Sequence, residues 1–188
     1  VNASFVLRNG AVTAVQDIDL MLGTLAAKGQ LALGVDGSLQ AAFFNKLTMP
    51  GNDIRDLIIE TSANDGWSVS AAARTIDLVP LRRNEGVGGG APITFDVTAD
   101  TIFIDAQNSL SGHLQGSRDD AGNGQAVFSG TLLAKGKPLV SEGQMTVDFG
   151  PRGDQLRGTG LIGGAETQIT FHGNGGDQAV LVLTSKNA

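Results

Sequence analysis

Polar and apolar residues alternate through most of this chain, and most cleanly between Ile93 and Asp105. In an extended backbone Ile93, Phe95 and Val97 fall on one side, and Thr94, Asp96 and Thr98 on the other. That two-residue period belongs to a strand with one dry face and one wet face. The alternation breaks at Ala99-Asp100 and resumes with Ile102 and Ile104 against Thr101, Phe103 and Asp105. Either a bulge or a turn accounts for the break. A bulge would leave one strand about 40 Å long at the usual rise per residue, well beyond ordinary strands. The same habit recurs elsewhere. Met145, Val147 and Phe149 oppose Thr146 and Asp148; Ile169 and Phe171 oppose Gln168, Thr170 and His172; Ile18, Leu20 and Leu22 oppose Asp17 and Asp19. Antiparallel sheets covered on one side give this pattern, whereas parallel sheets covered on both do not.

Turn signals punctuate the chain at strand-length spacing. They include Asn9-Gly10, Asp36-Gly37, Asn64-Asp65-Gly66, Asn123-Gly124 and Gly163-Gly164. Such pairs supply the positive φ that tight hairpins need. Between them the sequence predicts strands over 4–8, 12–22, 24–33, 38–47, 56–61, 67–74, 93–105, 109–115, 125–134, 139–149, 155–161, 167–172 and 179–184. One stretch departs from the pattern. TIDLVPLRR, residues 75–83, has apolar positions 76, 78, 79 and 81 and a proline inside. It predicts a short helix or a crossover, since Pro80 rules out a long helix. Residues 85–92 are glycine-rich. This places a first β block at 1–84, a connector at 85–92 and a second β block at 93–188, within what reads as a fragment of a longer repetitive protein.

Composition narrows the picture. Glycine is abundant, with 27 of 188 residues, and bulky aromatics are scarce: eight Phe, one Trp, no Tyr. This mixture suits a thin sheet with many turns better than a thick helical core. A formal charge of −6 argues against nucleic-acid binding, which needs clustered Lys and Arg. With no cysteine, disulfides and thiol chemistry are excluded. No apolar run reaches the length of a membrane-spanning helix.

Candidate chemistry is sparse. Gly86 to Ala91 formally fits a dinucleotide fingerprint, but Pro92 and an alternating strand follow where a helix is required. His172 to Asp177 faintly resembles a glycine-aspartate calcium turn, a motif that binds only as stacked copies. His113 and His172 are the only histidines, and no third ligand clusters with either, so no metal site is expected. Ser111 shares a strand face with His113, yet a nucleophile also needs an orienting acid and an oxyanion hole. The carboxylate pairs Asp119-Asp120 and Asp17/Asp19 are of the kind a glycosidase uses, although Asp119-Asp120 sits beside a turn. No catalytic constellation emerges, and the dry faces remain. Two sheets would bury them in a closed sandwich; one curved sheet would leave them as a greasy floor.

The second half of the chain resembles a known family. ITFDVTADTIFID, SLSGHLQGSRDDAGNGQAVFSGTLLAKGKPL, MTVDFGPRGDQLRGTGLIGGAETQITF and VLVLTSKNA are similar to the C-terminal β repeats of AsmA-like bacterial envelope proteins, most of all the YhdP-type branch. Asp100 within a strand, Phe128 after an exposed turn, the apolar run 180–183 and the TIDLVPL link carry the likeness, which is good over 70–188 and only stylistic over 1–70. The resemblance implies a long taco-like β groove in the periplasm, tethered to the inner membrane by a helix outside this segment. It also implies a role in moving phospholipid toward the outer membrane.

Together these readings predict an all-β, elongated, curved antiparallel sheet that forms an open groove. Its expected role is non-enzymatic: phospholipid acyl chains rest on the apolar face, with no cofactor and no metal. The expected floor is Phe95, Val97, Ile102, Ile104, Phe128, Leu132, Met145, Val147, Ile169 and Phe171. Expected partners are phospholipid, neighbouring β repeats of the same chain, and the membrane through its anchor. The alternative is a structural or adhesive β module with a closed core; a carbohydrate-active enzyme ranks below both.

Overall fold

A computed structural model describes residues 1–62, 65–77, 90–150, 155–173 and 179–185. Thirteen strands make up one sheet: β1 (Asn2–Arg8), β2 (Ala11–Leu22), β3 (Leu25–Leu33), β4 (Leu39–Met49), β5 (Asn52–Ser62), β6 (Gly66–Asp77), β7 (Ile93–Phe103), β8 (Asn108–Arg118), β9 (Gly124–Ala134), β10 (Lys137–Phe149), β11 (Gln155–Ile162), β12 (Ala165–Gly173) and β13 (Ala179–Ser185). They lie side by side in chain order, and the sheet does not close, so β1 and β13 are its two edges. All thirteen predicted strands are present. The turns follow the local chemistry. Asn9-Gly10, Lys135-Gly136 and Gly163-Gly164 each place two consecutive residues at positive φ, the geometry that matches the twist of flanking strands.

Two expectations need correcting. Residues 75–77 are the end of β6 and not the start of a helix; Thr75 and Ile76 pair with Thr101 and Ile102, and those ladder bonds outweigh the weak helical spacing. The remainder of the predicted segment, 78–83, and most of the glycine-rich connector lie outside the described residues. The sheet is also not antiparallel throughout. β6 and β7 pair in parallel from Trp67↔Ile93 to Asp77↔Phe103. A parallel neighbour requires the chain to return along the whole strand before pairing, which needs a crossover of a dozen or more residues. The stretch from Asp77 to Ile93 supplies that length.

The break at Ala99-Asp100 is a bulge, since the register of β7 on β8 shifts between Ala99 and Ile102. It is one of a series. Registers also shift between Val15 and Ile18, between Arg55 and Ile58, and between Val140 and Gly143. Asp17, Asp56 and Glu142 sit in three of these shifts, each with φ 53°. Where the row reaches β8 and β9 it meets Gly112 and Gly130 instead, at φ 143° and 151°. A bulge adds one residue and bends its strand. Each one here also corrects the pleat, so that apolar residues on both sides of it return to the same face. A one-residue slip left uncorrected would send half of every strand's apolar set to the wrong side.

Candidate functional site

Register places the apolar residues together. One row of paired residues crosses all thirteen strands: Phe5, Val15, Leu31, Ala42, Ile59, Val69, Phe95, Gly116, Ala126, Val147, Leu156, Phe171 and Leu181. It contains no polar side chain. The adjacent row on the same face runs Ala71, Val97, Leu114, Phe128, Met145, Gly158, Ile169 and Leu183. The opposite face is wet, with a row of Thr98, His113, Ser129, Gln144, Thr159, Gln168 and Thr184. Among the described residues no second layer covers either face.

Nine of the ten expected floor residues share this apolar face: Phe95, Val97, Ile102, Phe128, Leu132, Met145, Val147, Ile169 and Phe171. Ile104 does not. It lies beyond the end of β7, where its N–H donates to the Asn108 carbonyl at 3.0 Å, and a turn residue has no assigned place in the pleat.

A second correction concerns exposure. Ile102 is 1% exposed and Phe128 3%, and Met145 and Ile169 are also buried. Phe128, Val140, Met145 and Ile169 form one cluster; Ala73, Ala99 and Ile102 form another, and Leu110 and Leu114 touch both. The middle of the face is therefore a thin core made by the sheet from its own side chains. Glycine makes this possible. A methyl group on Gly130 would come within 3.0 Å of Phe128 Cζ, and one on Gly143 within 2.9 Å of Met145 Cε. The missing side chains are the hollows into which these neighbours lie. The same device recurs across strands: Phe95 lies over its partner Gly116 (2.7 Å from a methyl there), Phe149 over Gly124 (2.6 Å) and Phe44 over Gly29 (2.8 Å). The sequence reading related the glycine content to turns and a thin sheet and missed these pairings. The signal was present: a glycine inside an alternating strand marks a close approach. Half-buried Phe95, Val97, Leu132, Val147 and Phe171 are the expected floor residues that keep accessible surface.

The wet face is held by cross-strand ion pairs: Lys28–Asp19 at 3.1 Å, Arg157–Asp148 at 3.1 Å, Arg74–Asp53 and Arg55–Asp100 at 3.7 Å. Exposed pairs of this kind contribute about 0–1 kcal/mol each. Two open hollows, of about 570 and 470 Å³, lie mainly on this side. The first is edged by Asp17, Asp19, Lys28 and Phe43.

Known proteins add nothing to this geometry. The chain matches no family model, no curated protein and no solved structure.

Among the described residues no group of three or more His, Asp or Glu side chains is arranged to hold a metal, and no helix is long and apolar enough to cross a membrane. His113 does have an acid partner that sequence spacing did not suggest: its Nε2 lies 2.8 Å from Asp96 Oδ1 across the β7–β8 ladder. Both side chains are solvent-exposed to a third or more, and Ser111 makes no hydrogen bond to the ring. Asp119 belongs to a turn, its Oδ1 accepting the Asn123 N–H at 2.8 Å. That bond is the main reason its carboxyl is held below the ordinary value. The calcium-like glycine run 174–177 and Gly86–Gly89 lie outside the described residues.

Proposed function

We propose that the apolar face holds the acyl chains of phospholipid, and that the chain is a binding and transport module of the bacterial envelope, working in the periplasm beside the inner membrane. The observation that carries this reading is the unbroken apolar row on a single-layered sheet. A face of that extent left to water is costly, because apolar area is worth about 25 cal/mol per Å² removed from solvent. Large continuous patches of this sort mark ligand or partner sites. The bulges and glycines that cross the strands in a row support a trough, since each one bends its strand. In this reading the self-packed clusters form the crease, and Phe95, Val97, Leu132, Val147 and Phe171 face the tails. The edges β1 and β13 are where neighbouring β repeats would pair. No bond is made or broken, and no cofactor takes part.

The buried clusters favour one other reading, a structural β module whose closed core is complete in itself. Native mass spectrometry and organic extraction of the purified protein separate the two. Phospholipid retained by the wild type and lost from a folded Val147→Asp variant supports the lipid module. Protein free of lipid after gentle purification supports the scaffold and sinks the transport reading.

A further inference from the structure

The apolar face ends on a cation. The last row of pairs at one end runs Trp67, Ile93, Arg118, Gly124 and Phe149, which sets Arg118 on the dry face between apolar neighbours. Arg55, Arg74 and Arg157 each have a carboxylate partner on the wet side. Arg118 has no ion-pair partner among the described residues, and its Nε is shut off from water without a hydrogen bond. The guanidinium lies along Gly90: a methyl there would be 3.4 Å from Nη2. The adjacent Asp119 makes no ion pair with it; its oxygens face Asn123 within the turn.

A guanidinium presents a rigid planar fork of donors that fits a phosphate through two parallel hydrogen bonds. A guanidinium fork with no carboxylate partner among the described residues, at the mouth of an apolar face, has the chemistry of a head-group anchor. We propose that Arg118 binds the phosphate of a phospholipid whose tails lie along the rows toward Phe95 and Val97. This rests on the acyl-chain reading above and specifies it: the lipid enters with its phosphate at the Trp67–Phe149 end.

The experiment compares dioctanoyl phosphatidic acid with dioctanoylglycerol, which has the same tails and no phosphate, on the full chain and on folded Arg118→Gln and Arg118→Lys variants, with inorganic phosphate as a separate titrant. The expected result is at least tenfold tighter binding of the phosphate lipid by wild type. Arg118→Gln should lose that preference while holding dioctanoylglycerol unchanged, and Arg118→Lys should keep part of it. A preference that survives in Arg118→Gln, or a wild type that binds both lipids equally, overturns the anchor and leaves the acyl reading standing. If neither lipid binds, the acyl reading falls. Saturable binding of inorganic phosphate that depends on Arg118 would then keep the site as one for free phosphate, and its absence would overturn the site as well.

Discussion

Single residues decide where this sheet bends and which way it faces. Glu142 holds φ 53° in the β10 bulge, a conformation that costs a non-glycine residue about 1–2 kcal/mol and a β-branched one more. Glu142→Val should therefore lower stability in denaturant melts by the additional cost of β-branching at that φ, and Glu142→Gly should not. Gly112 is less forgiving, because a Cβ there would run into the Ser129 carbonyl and Gly130 Cα. Gly112→Val should cost about 1–3 kcal/mol through overpacking. Asp119 offers a pH test. Its pKa is depressed by the Asn123 N–H, so its contribution is present at neutral pH and is lost only as pH falls through a value below 3.8. The Asn123 amide shift, followed by NMR, should stay flat from pH 8 to 5, move below 4, and lose that step in Asp119→Asn. Movement centred at or above the ordinary carboxylate pKa would contradict the bond.

At the scale of elements, alternation and turn signals together located all thirteen strands, because a sheet wet on one side writes its period directly into residues such as Thr94/Phe95 and Thr146/Val147. Three things were less legible. The parallel partnership of β6 and β7 was only half visible: residues 75–83 were read as a helix or a crossover, but which neighbour a strand chooses depends on the path of the intervening chain and not on its own residues. The end of β6 was misjudged because the apolar positions 76, 78, 79 and 81 break the two-residue alternation, yet Thr75, Ile76 and Asp77 pair with β7. The exposure of the floor residues was the third: periodicity reports direction, whereas the burial of Ile102 depends on Ala73 and Ala99 beside it and that of Phe128 on Val140, Met145 and Ile169 and on the hollow at Gly130. The edge strand β13 carries its own consequence. Val180, Leu181, Val182 and Leu183 are all 48–60% exposed, and the strand pairs with β12 without a shift or a charge to blunt it. Unprotected apolar edges invite strand addition. Val182→Lys should reduce self-association in sedimentation or light scattering, with the secondary structure unchanged; equal association in the variant would exclude this edge as its cause.

For the molecule as a whole, the central claim is that one broad sheet keeps an uncovered apolar face for fatty tails. The chain's only tryptophan, Trp67, belongs to that face through its pairing with Ile93 and can report on it directly. The deciding measurement is Trp67 fluorescence during titration with phospholipid brominated along its acyl chains. Saturable quenching, weakened in a folded Val147→Asp variant, is the predicted result. Fluorescence that stays constant while the protein remains folded, with no lipid bound, would contradict the account and leave a β scaffold in its place.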